Sequence, residues 1–298
     1  MTDVMSCPAC GNSDFKYLFS AADHLSSGED FSVRKCTVCG LLVTANPPDE
    51  KDIGRYYISE DYISHSDKKQ NFTEHLYHLA RKFMLTRKRR LVERVTGLSS
   101  GRLVDIGSGT GYFASFMQGK GWKVSGIELN DEARLFSIKH FNITAIAPGE
   151  ISGISDGSAD CITFWHVLEH LFDPAGWMKE VKRILKDGGK CIIALPNSSS
   201  ADAVFFGREW AALDVPRHLW HFSPEPFKRF AVNQGFMCEE IQSMPLDVFY
   251  IAVLSYRNSG KSMALARGLL TGLYLTVTNL FRRNRASSLI YIISKQSV

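Results

Sequence analysis

The sequence predicts a doubly wound, mostly parallel α/β sheet of seven strands, preceded by a small N-terminal module of short strands and turns. Three observations predict it. From Arg102 onward, short apolar segments alternate with amphipathic ones, the pattern of βαβ units. The first of those segments runs straight into a glycine-rich turn, Gly107-Ser108-Gly109-Thr110-Gly111. Near the N-terminus two turns repeat one another, Cys7-Pro8-Ala9-Cys10-Gly11 and Cys36-Thr37-Val38-Cys39-Gly40.

Composition allows such a chain and excludes little else. Its 298 residues are 45% hydrophobic and 22% charged, ordinary values for a globular protein whose core needs no disulfides. A net charge of +4 neither demands nor excludes a polyanionic partner. The first ten residues lack the basic flank and apolar stretch of a secretory signal. The seven cysteines are therefore expected to be reduced, in the cytoplasm. No run of about 18 uncharged apolar residues predicts a spanning helix.

The elements follow in order. In residues 1–46 each cysteine turn aims two thiolates at one centre. Four thiolates, Cys7, Cys10, Cys36 and Cys39, make a closed tetrahedral zinc site with no position for substrate, so the zinc is expected to be structural. Cys161, Cys191 and Cys238 fall in predicted strands and read as core. Asn46-Pro47-Pro48 breaks the chain and marks a boundary. Residues 47–100 form a tyrosine-rich and basic helical linker. It holds Tyr56, Tyr57 and Tyr62, then Leu76, Leu79, Phe83, Leu91 and Val95 on one helix side and a basic face from Arg81 to Arg94. The remaining domain, 101–298, has predicted strands at 102–106, 123–127, 142–146, 159–164, 190–195, 236–243 and 288–294. Helices are expected at 112–118, 131–140 and 173–185, the last ending in a basic turn and glycine stop at 186–189. A further helix starts at Pro224-Glu225, and an apolar insertion occupies about 245–286.

The glycine turn permits close approach of a ligand to the backbone. Its free N–H groups favour an electron-rich group. Asp105 at the strand end reaches polar groups in the same crevice, and Glu128 ends the next strand where an acidic residue hydrogen-bonds a ribose diol. Together, the stretches VDIGSGTGYF, GIELN, DCITFWHVLEHLFDP and EVKRILKDGGKCIIALPN resemble the class I S-adenosylmethionine-dependent methyltransferases over 102–197. The resemblance implies that Asp105, Gly107 and Gly109, with Ser108 and Gly111 in the same loop, line the methionine part of the cofactor. It implies that Glu128 takes the ribose hydroxyls, Leu129 flanks the adenine and Glu150 lies at the adenine edge.

Methyl transfer needs alignment of donor and acceptor, and an oxygen or carbon acceptor also needs a base. His166 follows the fourth strand and is a candidate base or acceptor-positioning group, or a histidine packed beside the cofactor. Ubiquinone-type O-methyltransferases resemble this stretch and bind a divalent metal through Glu-x-x-Glu-His. Here His166 stands at the first position, so Glu169 and His170 are expected to stabilise the loop. A second cluster runs from Asp214 to Phe222. Trp210, Trp220 and Phe222 are expected as apolar walls, Arg217 as a carboxylate or phosphate ligand, and His218 as the base. The alternative is that His218 and His221 cap the helix at Pro224. Tyr57 and Tyr62 are candidates to close over the acceptor, or to pack.

The expected function is methyl transfer to an oxygen or carbon of a small-molecule or lipid-linked acceptor, such as a sugar. A cysteine knuckle ahead of this fold is similar to that of zinc-containing sugar C-methyltransferases and to that of certain rRNA guanine methyltransferases, and the Tyr56–Tyr62 and Pro216-Arg217-His218-Leu219 segments fit the first group better. Two other readings compete: an RNA methyltransferase gripping nucleic acid with the knuckle and basic helix, and a non-catalytic zinc-ribbon interaction protein. The low net charge and the absence of an Asn-Pro-Pro-Tyr-type motif weigh against the first, and the intact glycines and Glu128 against the second. The apolar insertion, closed by Arg282, Arg283 and Arg285, fits three fates: peripheral association with a membrane face, a homodimer interface, or a cover for the sheet edge.

Overall fold

The computed structural model describes residues 6–57, 72–278 and 283–296. Contacts divide the chain into two compact units. The first comprises Met1–Ser64, His166–Ala175 and Ala194–Tyr291; the second comprises His65–Trp165, Gly176–Ile193 and Ile292–Val298.

The first unit opens with strands β1 (Phe15–Ala22), β2 (Asp30–Cys36) and β3 (Leu42–Thr44). Both cysteine turns close in the same way. Gly11 N–H donates to Cys7 O at 2.7 Å, and Gly40 N–H donates to Cys36 O at 3.0 Å. The sheet runs β1-β2-β3-β9, and its last strand, β9 (Trp220–His221), comes from far along the chain. Val43 faces Trp220 and Leu42 faces His221 in an antiparallel pair. Phe31, Val33 and Tyr56 pack with Trp210, Leu213 and Val215 in the core beside this sheet.

The second unit begins with helix α1 (Phe72–Thr96). Parallel strands β4 (Arg102–Ile106), β5 (Lys123–Ile127), β6 (Thr144–Ile146) and β7 (Ala159–Trp165) follow, with α2 (Tyr112–Gln118) and α3 (Asp131–Phe141) between the first three. Next come α4 (Pro174–Ile184) and the long β8 (Leu185–Pro196). Back in the first unit come α5 (Ala201–Phe206), α6 (Pro224–Asn233), β10 (Phe236–Ser243), α7 (Asp247–Asn258) and α8 (Ala264–Thr278), and then β11 (Ser288–Lys295), whose residues from Ile292 onward belong to the second unit. The seven-stranded mixed sheet has the order β10-β11-β8-β7-β4-β5-β6. The chain moves outward from β4 to β6 and then returns to β7 on the other side of β4. That reversal is the topological switch point, where open α/β sheets bind ligands beyond the strand ends.

The expected element bounds differ from the structure in a few places. Strand β6 starts at Thr144 rather than at 142, because Asn142 is left-handed (φ 52) and ends α3. Helix α4 ends at Ile184, ahead of the glycine pair at 188–189, which lies inside β8. Its last carbonyls, on Arg183 and Ile184, accept from Gly157 and Ser158 N–H, so another loop stops the helix. Phe83, expected on the packed side of α1, is exposed, and Val92 is buried in its place. Two cations of the expected basic face lie on aromatic rings instead of facing water alone: Arg81 Cζ is 4.2 Å from the Tyr112 ring centre and Lys88 Nζ 4.2 Å from that of Trp165. Cys161 and Cys191 are core as expected, whereas Cys238 is half-buried.

Candidate active site

In the second unit, β4 delivers Asp105 to the strand end beside the glycine turn. Its carboxylate accepts from Thr163 Oγ1 at 2.6 Å. Burial pushes the carboxyl up to about 6, despite the Thr163 bond and the nearby Lys88 charge. Gly107 has φ 71, a conformation that only glycine adopts readily. Glu128 at the end of β5 accepts from Gly109 N–H at 2.7 Å and from Asn130 N–H at 2.9 Å, which fixes its carboxylate against the turn. A Cβ built on Gly109 meets nothing within 4 Å, so the backbone here borders open space. Ser108 Oγ is buried with no hydrogen-bond partner among the described residues. Leu129 is 77% exposed just beyond Glu128. An acidic pair, exposed backbone, an orphaned hydroxyl and an exposed apolar side chain fit a ribose, an amino-acid moiety and an adenine ring. Glu150 behaves differently: its carboxylate accepts from Ala147 N–H at 2.8 Å and closes a short helical turn. Gly111 starts α2 as its left-handed N-cap.

In the first unit, a group of histidines and carboxylates lies together. His166 has φ 59, and its N–H donates to Ala194 O at 3.1 Å. Its ring lies between two carboxylates, Glu169 at 3.4 Å from Nδ1 and Asp247 at 3.3 Å from Nε2. Burial pulls this imidazole down, but Asp247 and Glu169 outweigh it and raise it to about 9. His166 therefore carries a proton near neutral pH, which suits a positioning cation better than a base. Glu169 is buried, and neither carboxylate oxygen has a hydrogen-bond partner among the described residues. Burial pushes its carboxyl up, but His166, facing Oε1 at 3.4 Å, outweighs this and holds it below the usual range.

His218 is also buried. Its Nδ1 lies 2.9 Å from Ala212 O, and since a carbonyl only accepts, Nδ1 carries a hydrogen and the lone pair of the neutral ring is on Nε2, 3.8 Å from Asp214 Oδ2. His170 packs edge-on against it, ring centres 4.5 Å apart. His170 Nδ1 lies 3.0 Å from Arg217 O and 3.1 Å from the Tyr57 hydroxyl. Burial and the neighbouring His218 lower it to about 4, so it is neutral. Glu169, His170 and His218 together place three ligand atoms within 4.8 Å of one another. His221 is a different case. The Thr44 hydroxyl donates to His218 O at 2.7 Å, so His221 Nε2, 3.1 Å away, must donate to Thr44. Burial lowers His221 to about 3 and keeps it neutral.

Several expected roles are corrected. Arg217 is no ligand clamp: it is 1% exposed and already bonded to Asp23, Asp214 and the Tyr56 carbonyl. Trp210 and Phe222 are core rather than walls, Trp210 bonded to Asp202 and Phe222 packed against Phe227 and Phe230. Trp220 is likewise buried, with Nε1 donating to Leu171 O at 2.7 Å. His218 and His221 bond to Ala212 and Thr44 rather than to the start of α6. Tyr57 reaches His170, whereas Tyr62 lies outside the described residues. Asp247, Asp23 and Thr44 were not legible as site residues, since each meets its partner only through the fold.

The four cysteines form a third centre. Cys7 Sγ is 3.4 Å from Cys39 Sγ, and Cys10 Sγ is 3.5 Å from Cys36 Sγ, with all four within 4.8 Å of one another. Thiolates about 2.3 Å from a shared zinc lie at comparable separations, so these residues fit the ion. Burial pushes the Cys7 thiol well up. For Cys36 the same burial is outweighed by the backbone N–H groups of Cys39 and Val38, which bring it to about 6.

The parallel sheet with its switch point, the glycine turn and the acidic end of β5 define a class I methyltransferase fold. The methyltransferase domain family matches residues 76–241, and the chain belongs to that family. It is 28% identical over 178 residues to a ubiquinone biosynthesis O-methyltransferase of Burkholderia vietnamiensis, covering 57% of this chain and 74% of the relative. A protein of the same name from Thiobacillus denitrificans is 27% identical over 168 residues, 52% of this chain and 72% of its own. Among solved structures, a SAM-dependent methyltransferase from Archaeoglobus fulgidus superposes with a TM-score of 0.50 at 19% identity, covering 72% of this chain and 94% of its own. The protein is an S-adenosylmethionine-dependent methyltransferase.

Proposed function

We propose that this enzyme methylates a hydroxyl oxygen of a small-molecule acceptor, with His218 as the base. One observation carries the reading: His218 is buried, its Nδ1–H is committed to Ala212, its Nε2 lies 3.8 Å from Asp214 Oδ2, and a ring nitrogen lies within 4.8 Å of a Glu169 carboxylate oxygen. The similarity to ubiquinone biosynthesis O-methyltransferases supports oxygen as the acceptor atom.

When bound, the cofactor supplies a methyl group activated by a sulfonium. Glu128, fixed by Gly109 N–H, would hold the ribose hydroxyls, and Asp105 with the glycine turn would hold the methionine part. His218 Nε2 takes the proton of the acceptor hydroxyl, and the charge on Glu169 stabilises the imidazolium that forms. His166, protonated between Asp247 and Glu169, offers a positive charge to the developing alkoxide or phenolate. Cys7, Cys10, Cys36 and Cys39 would hold a structural zinc.

The trio of ligand atoms on Glu169, His170 and His218 favours a second reading, in which they hold a divalent cation that acidifies the acceptor hydroxyl. Metal analysis separates the two. One equivalent per chain, kept in His218→Ala, fits the base; a second equivalent that His218→Ala loses fits the cation.

The acceptor is tested with methyl-labelled cofactor and a panel of a catechol, a nucleotide-linked deoxysugar and total RNA. Label on a hydroxyl oxygen of the catechol or the sugar supports the proposal. Label on a sugar carbon or in RNA overturns it.

A further inference from the structure

The helical pair in the insertion has two faces of opposite use. Helix α8 buries only Gly268, Gly272 and Leu275, a single stripe. A Cβ on Gly268 would lie 2.5 Å from Val253 Cγ2, and one on Gly272 would lie 2.6 Å from Phe249 Cδ1. The two helices therefore touch almost backbone to backbone. The opposite side of α8 carries Leu265, Leu269, Leu270, Leu273, Tyr274 and Val277, each between 48% and 69% exposed. An ordinary surface helix presents charged residues there. Contiguous apolar exposure of this kind marks an interaction surface.

Charge indicates what covers it. Between Val248 and Arg285 there is no aspartate or glutamate, while Arg257, Lys261, Arg267, Arg282, Arg283 and Arg285 are basic. Arg267 is exposed in the first turn of α8, and three arginines follow its C-terminal end in the sequence. A two-fold interface with a second copy would set this segment's positive charge against itself, with no carboxylate of its own to offset it. An anionic headgroup layer supplies the missing counter-charge. The 15 residues of α8 extend about 22 Å, short of the ~30 Å hydrocarbon core. Among the described residues no helix is long and apolar enough to cross a membrane. The geometry fits a helix lying flat in the interface.

We propose that the α7–α8 pair docks this protein on the surface of an anionic lipid bilayer, apolar face inward and arginines on the headgroups. Docking requires neither cofactor nor acceptor, so its test is independent of the methyl-transfer reading. The full chain is sedimented with vesicles of phosphatidylcholine alone and of phosphatidylcholine mixed with phosphatidylglycerol. Wild type is expected to pellet with the mixed vesicles at low salt, to be released at high salt, and to stay in solution with phosphatidylcholine. The variant L269E/L273E changes two exposed positions and is expected to keep its circular dichroism and melting temperature but lose vesicle binding. The proposal is overturned if wild type stays in the supernatant with anionic vesicles, or pellets equally with both kinds. Equal pelleting of L269E/L273E overturns it too, as does a wild-type dimer that this variant converts to a monomer without any vesicle binding.

Discussion

Burial sets the direction of the Asp105 shift, whereas at His166 two carboxylates override it. Asp105 is raised to about 6 in the folded chain, against roughly 3.9 when unfolded. The folded state thus binds its proton more tightly. Stability is highest below the unfolded value, falls as pH rises toward 6 and levels off above it. The shift corresponds to about 3 kcal/mol, and Asp105→Asn should abolish that part of the pH dependence, as thermal melts between pH ~4 and ~7 can show. On the proposed cofactor placement, the same variant should also weaken binding of S-adenosylhomocysteine. His166 has the reverse sign. Its pKa of about 9 means that its contribution is full below the unfolded value near 6.5 and is lost as pH rises through 9. Asp247→Asn removes one of the two carboxylates responsible, so the His166 ring protons followed by NMR should then titrate at lower pH. At Gly107, φ 71 forbids a β-branched side chain. Gly107→Val should reduce affinity for S-adenosylhomocysteine in calorimetry, as should Glu128→Ala, which removes a charged acceptor contributing roughly 1.5–3 kcal/mol. Unchanged affinity in both variants would contradict the cofactor assignment. The motif residues Asp105, Gly107 and Glu128 were legible because chemistry and spacing sit together in one βαβ unit. Asp247 was not, because its ion pair with His166 joins residues far apart in the sequence, and no local pattern records that.

At the scale of elements, β3 and β9 connect the cysteine module to the His218 loop within one unit. Thr44, the last residue of β3, donates to the His218 carbonyl and receives from His221. Arg217 ties the same loop to Asp23. Thr44→Val leaves a buried carbonyl and a buried imidazole N–H without their partner, at a cost of about 1–3 kcal/mol. If the contact positions His218, kcat should fall more than stability alone explains, while affinity for S-adenosylhomocysteine is unchanged. Thr44→Ser, which keeps the hydroxyl, should restore kcat. The paired variant Cys36→Ser and Cys39→Ser should lose the zinc equivalent on metal analysis and disturb the same loop. Most strands and helices were legible because apolar periodicity and caps agree, as at Asn130, which caps α3 by accepting from Ala133 N–H. The end of α4 was misplaced because a distant loop, rather than the nearby glycines, takes its last carbonyls. Strand β9 has two residues and no pattern of its own; only its pairing with β3 defines it.

Over the whole molecule, the proposed cofactor-binding turn belongs to one unit and the proposed acid–base group to the other. That division makes the central claim separable into binding and chemistry. A base contributes to the transfer step and little to cofactor affinity, so His218→Ala should slow turnover by about two to four orders of magnitude with calorimetric binding of S-adenosylhomocysteine intact. His166→Gln should slow it less, since a positioning cation is only partly replaced by an amide. The most direct measurement is single-turnover transfer of labelled methyl from saturating cofactor to an acceptor that the wild-type enzyme methylates, compared between wild type and His218→Ala across pH. The wild-type rate should rise with pH through one ionisation and decline again as His166 loses its proton near 9, and the His218→Ala rate should be far lower and lack that rise. A His218→Ala enzyme that transfers the label at the wild-type rate, with the same pH profile, would contradict it.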